Sequence, residues 1–285
     1  MIEPVQSRRP DLQPKEFMQA CREIADLSGC AFIMDEVICG FRAAPGGAQE
    51  YFGVPADIGT YSKVFGGGMP IGAIAGIPKY MDALDGGHWQ FGDDSVPEVG
   101  VTYFAGTFVR HPVNMAAVLA TLRHLEANPN VQRDMNVRIG AFVERIRALL
   151  VELRAPLRVA NFSSLYRFEL TQDEAFGELF YYYLRERGLH SYDGRLSVMT
   201  TTHDDAILDR ILGIYRDSIT CMQRDGLMGM VGEPVVMGRA KPRSGSIWYS
   251  PPQPGARVGR DADGVPAWFV PDPQRPGHYL QLERP

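Results

Sequence analysis

Tyr61-Ser62-Lys63-Val64-Phe65-Gly66-Gly67-Gly68-Met69-Pro70-Ile71-Gly72-Ala73 is the stretch from which the fold can be read. Three consecutive glycines open backbone conformations closed to other residues, so the segment after the lysine predicts a tight turn. Asp57 to Ser62 reads as a strand that delivers Lys63 to this turn. Gly72 to Ile77 reads as a small-residue strand, with Pro78 opening a short helix. Further upstream, Ala31 to Met34 is a continuous apolar run, as expected of a parallel strand covered on both faces, and it ends in Asp35-Glu36-Val37. Before it, Gln13 to Ser28 has Phe17, Cys21, Ile24 and Leu27, with Ala20, at helical spacing. Pro14 suits the start of that helix and Gly29 its stop. Helix, strand, loop and strand in this order predict an open α/β sheet, whose ligands gather at the carboxyl ends of the strands. Asp35 and Lys63 fall at that edge. An acid directly after Phe32-Ile33-Met34 is costly to bury without a cationic partner. A lysine beside glycines is by itself usually a solvated loop residue. Here the glycines follow the lysine, so the stretch is not a phosphate loop of the Gly-x-x-x-x-Gly-Lys type.

Residues 85–101 carry few periodic signals and read as a long loop. Pro112 to Ala127 predicts a helix with Met115, Val118, Leu119, Leu122 and Leu125 on its apolar face. Asn128-Pro129-Asn130 breaks the pattern and marks a domain boundary. Beyond it come a charged amphipathic helix from Val131 to Arg154, strands at Leu157–Ala160 and Leu165–Leu170, a helix near 174–187, a strand at Leu196–Met199 and a helix near 204–224. Thr171-Gln172-Asp173-Glu174 and Thr202-His203-Asp204-Asp205 have the spacing of capping boxes. From Gly232 onward the composition shifts: ten prolines and seven glycines fall in the last 54 residues, which suits a linker or extended arm. The apolar residues at Trp268-Phe269-Val270 and Tyr279-Leu280 could dock on a neighbour. The expected organisation is therefore 1–130, 131–230 and 231–285.

Four segments in order resemble the class III aminotransferases, a family with the type I fold that uses pyridoxal 5'-phosphate (PLP). They are Glu3-Pro4-Val5-Gln6; Asp35-Glu36-Val37 with Gly40-Phe41-Arg42; Lys63 to Ala73, close to the lysine loop of glutamate-1-semialdehyde aminomutase; and Phe104-Ala105-Gly106-Thr107-Phe108 followed by Pro112. The resemblance runs from Glu3 to about residue 225. It implies an α/β fold: the C-terminal half of a large PLP-binding domain with a mostly parallel sheet in 1–130, then a small α+β domain in 131–230. It implies that Lys63 forms the Schiff base and carries a proton during turnover, and that Asp35 holds the ring nitrogen protonated. Burial and the nearby cofactor are expected to favour the neutral lysine amine that this attack requires. Val37 is implied to pack on the ring, Gln6 to lie near the phenolic oxygen, and Thr107 to reach a phosphate across a dimer interface. Each also has a structural reading: core packing for Val37, a strand-end polar residue for Gln6, a helix-start turn for Thr107. For Glu36 an ion pair, with Arg42 as one partner, is as good a reading as a direct role.

Gly87-His88-Trp89-Gln90-Phe91-Gly92-Asp93-Asp94, leading to Tyr103-Phe104, is similar to aminotransferase modules of hybrid polyketide synthase and non-ribosomal peptide synthetase chains. That likeness implies amino-group transfer onto a carbonyl of a carrier-bound acyl intermediate, with a carrier protein as partner and a homodimer formed through the large domain. The alternatives are a 2,1-aminomutase of the glutamate-1-semialdehyde type and a non-catalytic fragment. The first motif stands at residue 3, so the chain reads as the C-terminal part of a longer protein or as a truncated reading frame. Its upstream phosphate-binding turn is expected to lie outside these residues, with weak PLP binding as the consequence.

Composition narrows the classes. The 285 residues are 45% hydrophobic and 22% charged, ordinary values for a globular protein. A net charge of −5 speaks against nucleic acid as the main partner, and no uninterrupted apolar run is long enough for a membrane span. Met1-Ile2-Glu3-Pro4 lacks the basic-then-apolar pattern of a secretory signal. Cys21, Cys30, Cys39 and Cys221 have no Cys-x-x-Cys spacing, and reduced thiols in the cytoplasm are the expectation. The six histidines are scattered without metal-ligand spacing, so no metal is expected. Ser244-Gly245-Ser246 in the proline-rich tail is not a hydrolase elbow.

Overall fold

The computed structural model describes residues 1–87, 89–90, 92–98, 100, 102, 104–233, 256–260, 266–273, 275 and 278–282. Met1–Val235 forms one compact unit and Val236–Pro285 a second.

Helix α1 (Lys15–Ser28) starts after Pro14 and stops at Gly29, whose left-handed φ of 67° returns its N–H to the carbonyls of Ala25 and Asp26. The side of α1 that packs is not the predicted one. Met18 and Ala25 are buried, whereas Phe17, Ile24 and Leu27 are 59%, 64% and 89% exposed. The helix carries apolar residues on two sides, and spacing alone does not say which side meets the sheet. Strand β1 (Ile33–Asp35) follows, then two short helices where the sequence reading had a loop, α2 (Gly40–Ala43) and α3 (Gly47–Phe52). Strand β2 (Ile58–Tyr61) leads into a 3-10 turn at Lys63–Gly66, and β3 (Ala73–Gly76) into α4 (Pro78–Asp85).

The sheet is parallel where it matters for the site. Ile2 bridges Met34 in parallel. β1 pairs parallel with β2, setting Asp35 opposite Thr60. β3 closes the edge antiparallel to β2, and Gly76 is required there because a Cβ would stand 2.3 Å from the Asp57 carbonyl oxygen. Val5, Met18, Phe32, Met34, Phe52 and Val54 form the core beneath.

Asp57 pins α1 to this sheet. Its Oδ2 accepts from the Phe32 N–H at 2.7 Å and from Arg22 Nη1 at 2.8 Å. The Phe32 hydrogen bond, then the Arg22 guanidinium, hold the carboxyl below the usual aspartate range. A lowered folded pKa contributes stability that is whole above the unfolded value of about 3.9 and is lost as pH falls through the folded value. Asp57→Asn should therefore cost about 1–3 kcal/mol at neutral pH, and the difference from wild type should shrink in acid. Equal urea midpoints for the two proteins at neutral pH would contradict this.

Helix α5 (Pro112–Ala127) keeps its predicted bounds, with Pro112 in its first turn. Only part of its predicted apolar face is covered. Val118 is buried, while Met115 and Leu119 are exposed, because the helix rests on the lysine turn through other residues. Helix α6 (Val131–Glu152) buries Ile139, Phe142, Ile146 and Leu149 against the hairpin of β4 (Leu157–Phe162) and β5 (Leu165–Leu170). The two-residue turn Ser163-Ser164 closes that hairpin, with Ser163 at φ 54°. Helix α7 (Phe180–Glu186), the short β6 (Ser197–Val198) and α8 (Asp205–Arg224) complete the layer. At its centre the hydroxyls of Tyr166 and Tyr215 hydrogen-bond at 2.7 Å, both buried. The cap of α8 is Asp204, which accepts from the Ile207 N–H at 2.9 Å. At 171–174 no helix begins. There Glu174 is buried and accepts from the Gly229 N–H, fixing the chain's return.

The segment 231–285 reads as a linker or docking arm by composition. Among its described residues lie three strands, β7 (Arg257–Arg260), β8 (Pro266–Pro271) and β9 (Tyr279–Gln281), in one antiparallel sheet. Gly259 is needed beneath Phe269, whose ring would stand 2.8 Å from a Cβ. Pro234, Pro242, Pro251, Pro252, Pro254 and Ser244-Gly245-Ser246 lie outside the described residues.

Candidate active site

Two neighbouring parallel strands end side by side, and each presents one residue of interest. β1 ends on Asp35, which is half-buried. Its Oδ1 accepts from the Val37 N–H at 3.1 Å and from Thr60 Oγ1 at 3.2 Å. Its main-chain N–H donates to the Ile2 carbonyl at 2.7 Å. Among the described residues Oδ2 has no hydrogen-bond donor, so one carboxylate oxygen is fixed and the other is available. β2 ends at Tyr61, and Lys63 begins the turn two residues later.

Lys63 sits at φ 54°, the left-handed region that residues with a Cβ seldom enter. Its side chain is exposed, where the sequence reading expected burial. No described residue hydrogen-bonds or pairs with its Nζ. The turn beneath is fixed from several sides. Ser62 Oγ donates to the Ile71 carbonyl at 2.7 Å, and Asn114 Nδ2 of α5 to the Pro70 carbonyl at 2.9 Å. A Cβ at Gly67 would stand 2.4 Å from Thr121 Oγ1 of the same helix. Gly67 thus lets α5 approach the turn, and its φ of 58° is the left-handed cap of the turn.

Below the strand ends is a polar hub that no sequence pattern announced. Buried Glu36 accepts from the Ala48 N–H, and its Oε1 from Gln49 Nε2 at 2.9 Å. Gln49 also donates to the Tyr61 hydroxyl at 3.0 Å and accepts from the Ala56 N–H at 2.7 Å. Burial raises the Glu36 pKa, and the hydrogen bonds from Gln49 and Ala48 work against that rise. Glu36 therefore supports α3 and the end of β2, and it does not pair with Arg42. Burial also raises the Glu3 pKa, with Asp35 contributing in the same direction. Cys39, buried close to Glu36, has its thiol pushed up to about 12, chiefly by burial.

The geometry gathers Asp35, Val37 and Lys63 at one sheet edge. Val37 is half-buried beside Asp35. Gln6 is exposed, at the rim of a cleft of about 390 Å³ that Glu3, Pro4 and Phe17 also border. Thr107 is exposed in the turn 107–110 that leads into α5. No described hydrogen bond joins Gln6 or Thr107 to the Asp35–Lys63 edge. Sequence reasoning missed Thr60 and Gln49. Thr60 could have been found by setting the two strand ends in register, whereas Gln49 had no local signal. In the segment from Gly87 to Phe104, His88, Phe91, Val99, Val101 and Tyr103 lie outside the described residues.

The class-III aminotransferase family model matches residues 1–207. The chain is 42% identical over 141 residues to the glutamate-1-semialdehyde 2,1-aminomutase of Acetivibrio thermocellus, covering 49% of this chain and 30% of that protein. With the enzyme of the same name from Alkaliphilus oremlandii it is 30% identical over 234 residues, 79% of this chain and 52% of the relative. Among solved structures, a transaminase with PLP bound superposes with a TM-score of 0.68 at 27% identity, covering 79% of this chain and 52% of that one. A β-phenylalanine aminotransferase from Variovorax paradoxus gives 0.68 at 25% identity, over 80% and 53%. The chain thus spans about half the length of these structures and no more than about half of the two curated relatives.

The fold is the type I fold of PLP-dependent transaminases, and PLP is the cofactor it implies. The residues present fit that group. A carboxylate oxygen without a donor suits a protonated ring nitrogen, and an amine without a partner suits an aldehyde. The match over residues 1–207 takes in both strand ends, the lysine turn and helix α5, and this chain belongs to the class-III aminotransferases.

Proposed function

We propose that this chain carries the lysine side of a PLP-dependent amino-group transfer site, with Lys63 and Asp35 as its catalytic residues. The observation that carries the reading is the pairing of β1 and β2. It sets a carboxylate with one open oxygen beside a turn that offers an unengaged amine. When bound, PLP supplies an aldehyde to attach to and a ring that draws electrons from the attached carbon. Asp35 Oδ2 would accept from the ring nitrogen's N–H, while Thr60 and the Val37 N–H hold Oδ1 and fix the carboxylate's orientation. Lys63 Nζ would hold the cofactor and, once freed by substrate, serve as the base that moves the substrate's proton. Val37 would pack against the ring, Gln6 would donate toward its phenolic oxygen, and Thr107 would take a phosphate oxygen of a partner subunit's cofactor in a homodimer. Residues 1–130 make up part of the large domain, 131–230 the small one, and 231–285 follow as a segment whose described residues include β7, β8 and β9.

The acceptor is where two readings part. Transfer onto a carrier-bound acyl carbonyl, with a carrier protein as partner, rests on the likeness of the stretch from Gly87 to Thr107 alone. A 2,1-aminomutase reaction, moving the amino group within one molecule, is favoured by the identities to the two aminomutases.

Titration with PLP followed by borohydride reduction tests the site itself. A pyridoxyl group should be found on the peptide containing Lys63 and be absent from that peptide in Lys63→Ala. Labelling spread evenly over Lys15, Lys63 and Lys79 would mean that no site is formed.

A further inference from the structure

A second cleft lies behind the lysine turn, between α2, α5, α6 and the β4–β5 hairpin. Its volume is about 220 Å³, and Phe41, Val64, Leu125 and Met135 supply apolar wall. That is below the ~300–1,000 Å³ of drug-sized ligand sites, so only a small molecule fits. None of the residues assigned to the PLP site borders it.

Two polar groups on this cleft are incompletely served. Arg42 is half-buried. It donates to Ser164 Oγ at 3.1 Å and to the Ile38 carbonyl at 3.4 Å, and among the described residues it has no ion pair. Burial pulls its pKa down, opposed by the neighbouring Cys39 and by no carboxylate. Elsewhere in the chain the guanidinium groups of Arg22, Arg158 and Arg216 are each matched to acids. Gln132 is 5% exposed, and neither of its amide atoms has a hydrogen-bond partner among the described residues. A half-buried guanidinium without a counter-charge and a buried amide N–H without an acceptor, on one cleft, are donors that an anion can serve. A guanidinium presents parallel N–H groups, the match for a carboxylate.

We propose that this cleft binds a small monocarboxylate with an apolar body, its carboxylate on Arg42 and Gln132 Nε2 and its chain against Phe41, Val64, Leu125 and Met135. The inference is independent of the PLP reading. Charge and shape choose the ligand class together: the apolar wall disfavours a small inorganic anion, and Arg42 disfavours an amine.

The test is thermal melting of the 285-residue chain without PLP, titrated with hexanoate, hexanol, hexylamine or sodium sulfate at matched ionic strength. Hexanoate should raise the melting temperature saturably in the millimolar range, and the other three should not. In Arg42→Met the hexanoate affinity should fall by at least about tenfold, the effect of removing one charge-assisted pair. Gln132→Leu should weaken it less, and Lys63→Ala should keep it whole. An equal rise with hexanol or sulfate, or no saturable rise with hexanoate, overturns the proposal on wild type alone, even if Arg42→Met does not fold. A full response in folded Arg42→Met, or its loss in Lys63→Ala, overturns it as well.

Discussion

Lys63→Ala should bring amino-group transfer to background in any preparation that is active with Lys63 intact. On the proposed roles, the substitution would remove both the amine that attaches the cofactor and the base that moves the proton. General acid–base catalysis alone accounts for about 10²–10⁴-fold. Lys63→Arg should fail as well, because a guanidinium stays charged and cannot attack an aldehyde. The fold should survive both changes, since no described residue bonds to the Lys63 amine and the turn is held by Ser62, Asn114 and Gly67. Single-turnover assays with an amino donor, alongside circular dichroism, separate the two effects. Near-wild-type rates in Lys63→Ala would remove the central assignment.

Asp35→Asn is expected to leave PLP bound and slow the chemistry by several factors of ten, each worth about 1.4 kcal/mol of barrier. An amide at this position can still accept from Thr60 and the Val37 N–H, so the local structure persists. It cannot hold a positive charge on the ring nitrogen, and the ring then draws electrons less strongly. The loss should appear in kcat more than in the PLP dissociation constant. Unchanged kcat would return Asp35 to a structural role at the end of β1.

Much of this arrangement is legible in the sequence because it depends on local constraints. The apolar run before Asp35 does form a strand with the acid at its carboxyl end, but it is fully buried on one face only, Phe32 and Met34 being buried and Ala31 and Ile33 half-buried. Glycines 66 to 68 open the left-handed conformations that the turn uses, and Pro112 suits the start of α5. What is not legible depends on partners distant in the chain. α1 has apolar residues on two sides, and only the sheet selects Met18 and Ala25 over Phe17, Ile24 and Leu27. Gln49 looks like an ordinary helical residue until Glu36, Tyr61 and Ala56 converge on it. The expected Glu36–Arg42 pair does not form, since Glu36 turns toward the start of α3 while Arg42 faces Ser164 across the hairpin. In 257–281 the proline count hides strands whose cross-strand pairs, such as Val258 with Trp268, become visible only once register is known.

The left-handed backbone at Lys63 sets chemistry and folding against each other at a single codon. Glycine would relieve the tension there, and asparagine would relieve part of it, while every other ordinary side chain keeps it at about 1–3 kcal/mol. If Lys63 has the proposed role, selection for its amine is what holds lysine at that position. In a gene copy freed from that selection, position 63 is where drift gains stability, so glycine or asparagine should appear there before the apolar core around Met34 and Phe52 begins to erode.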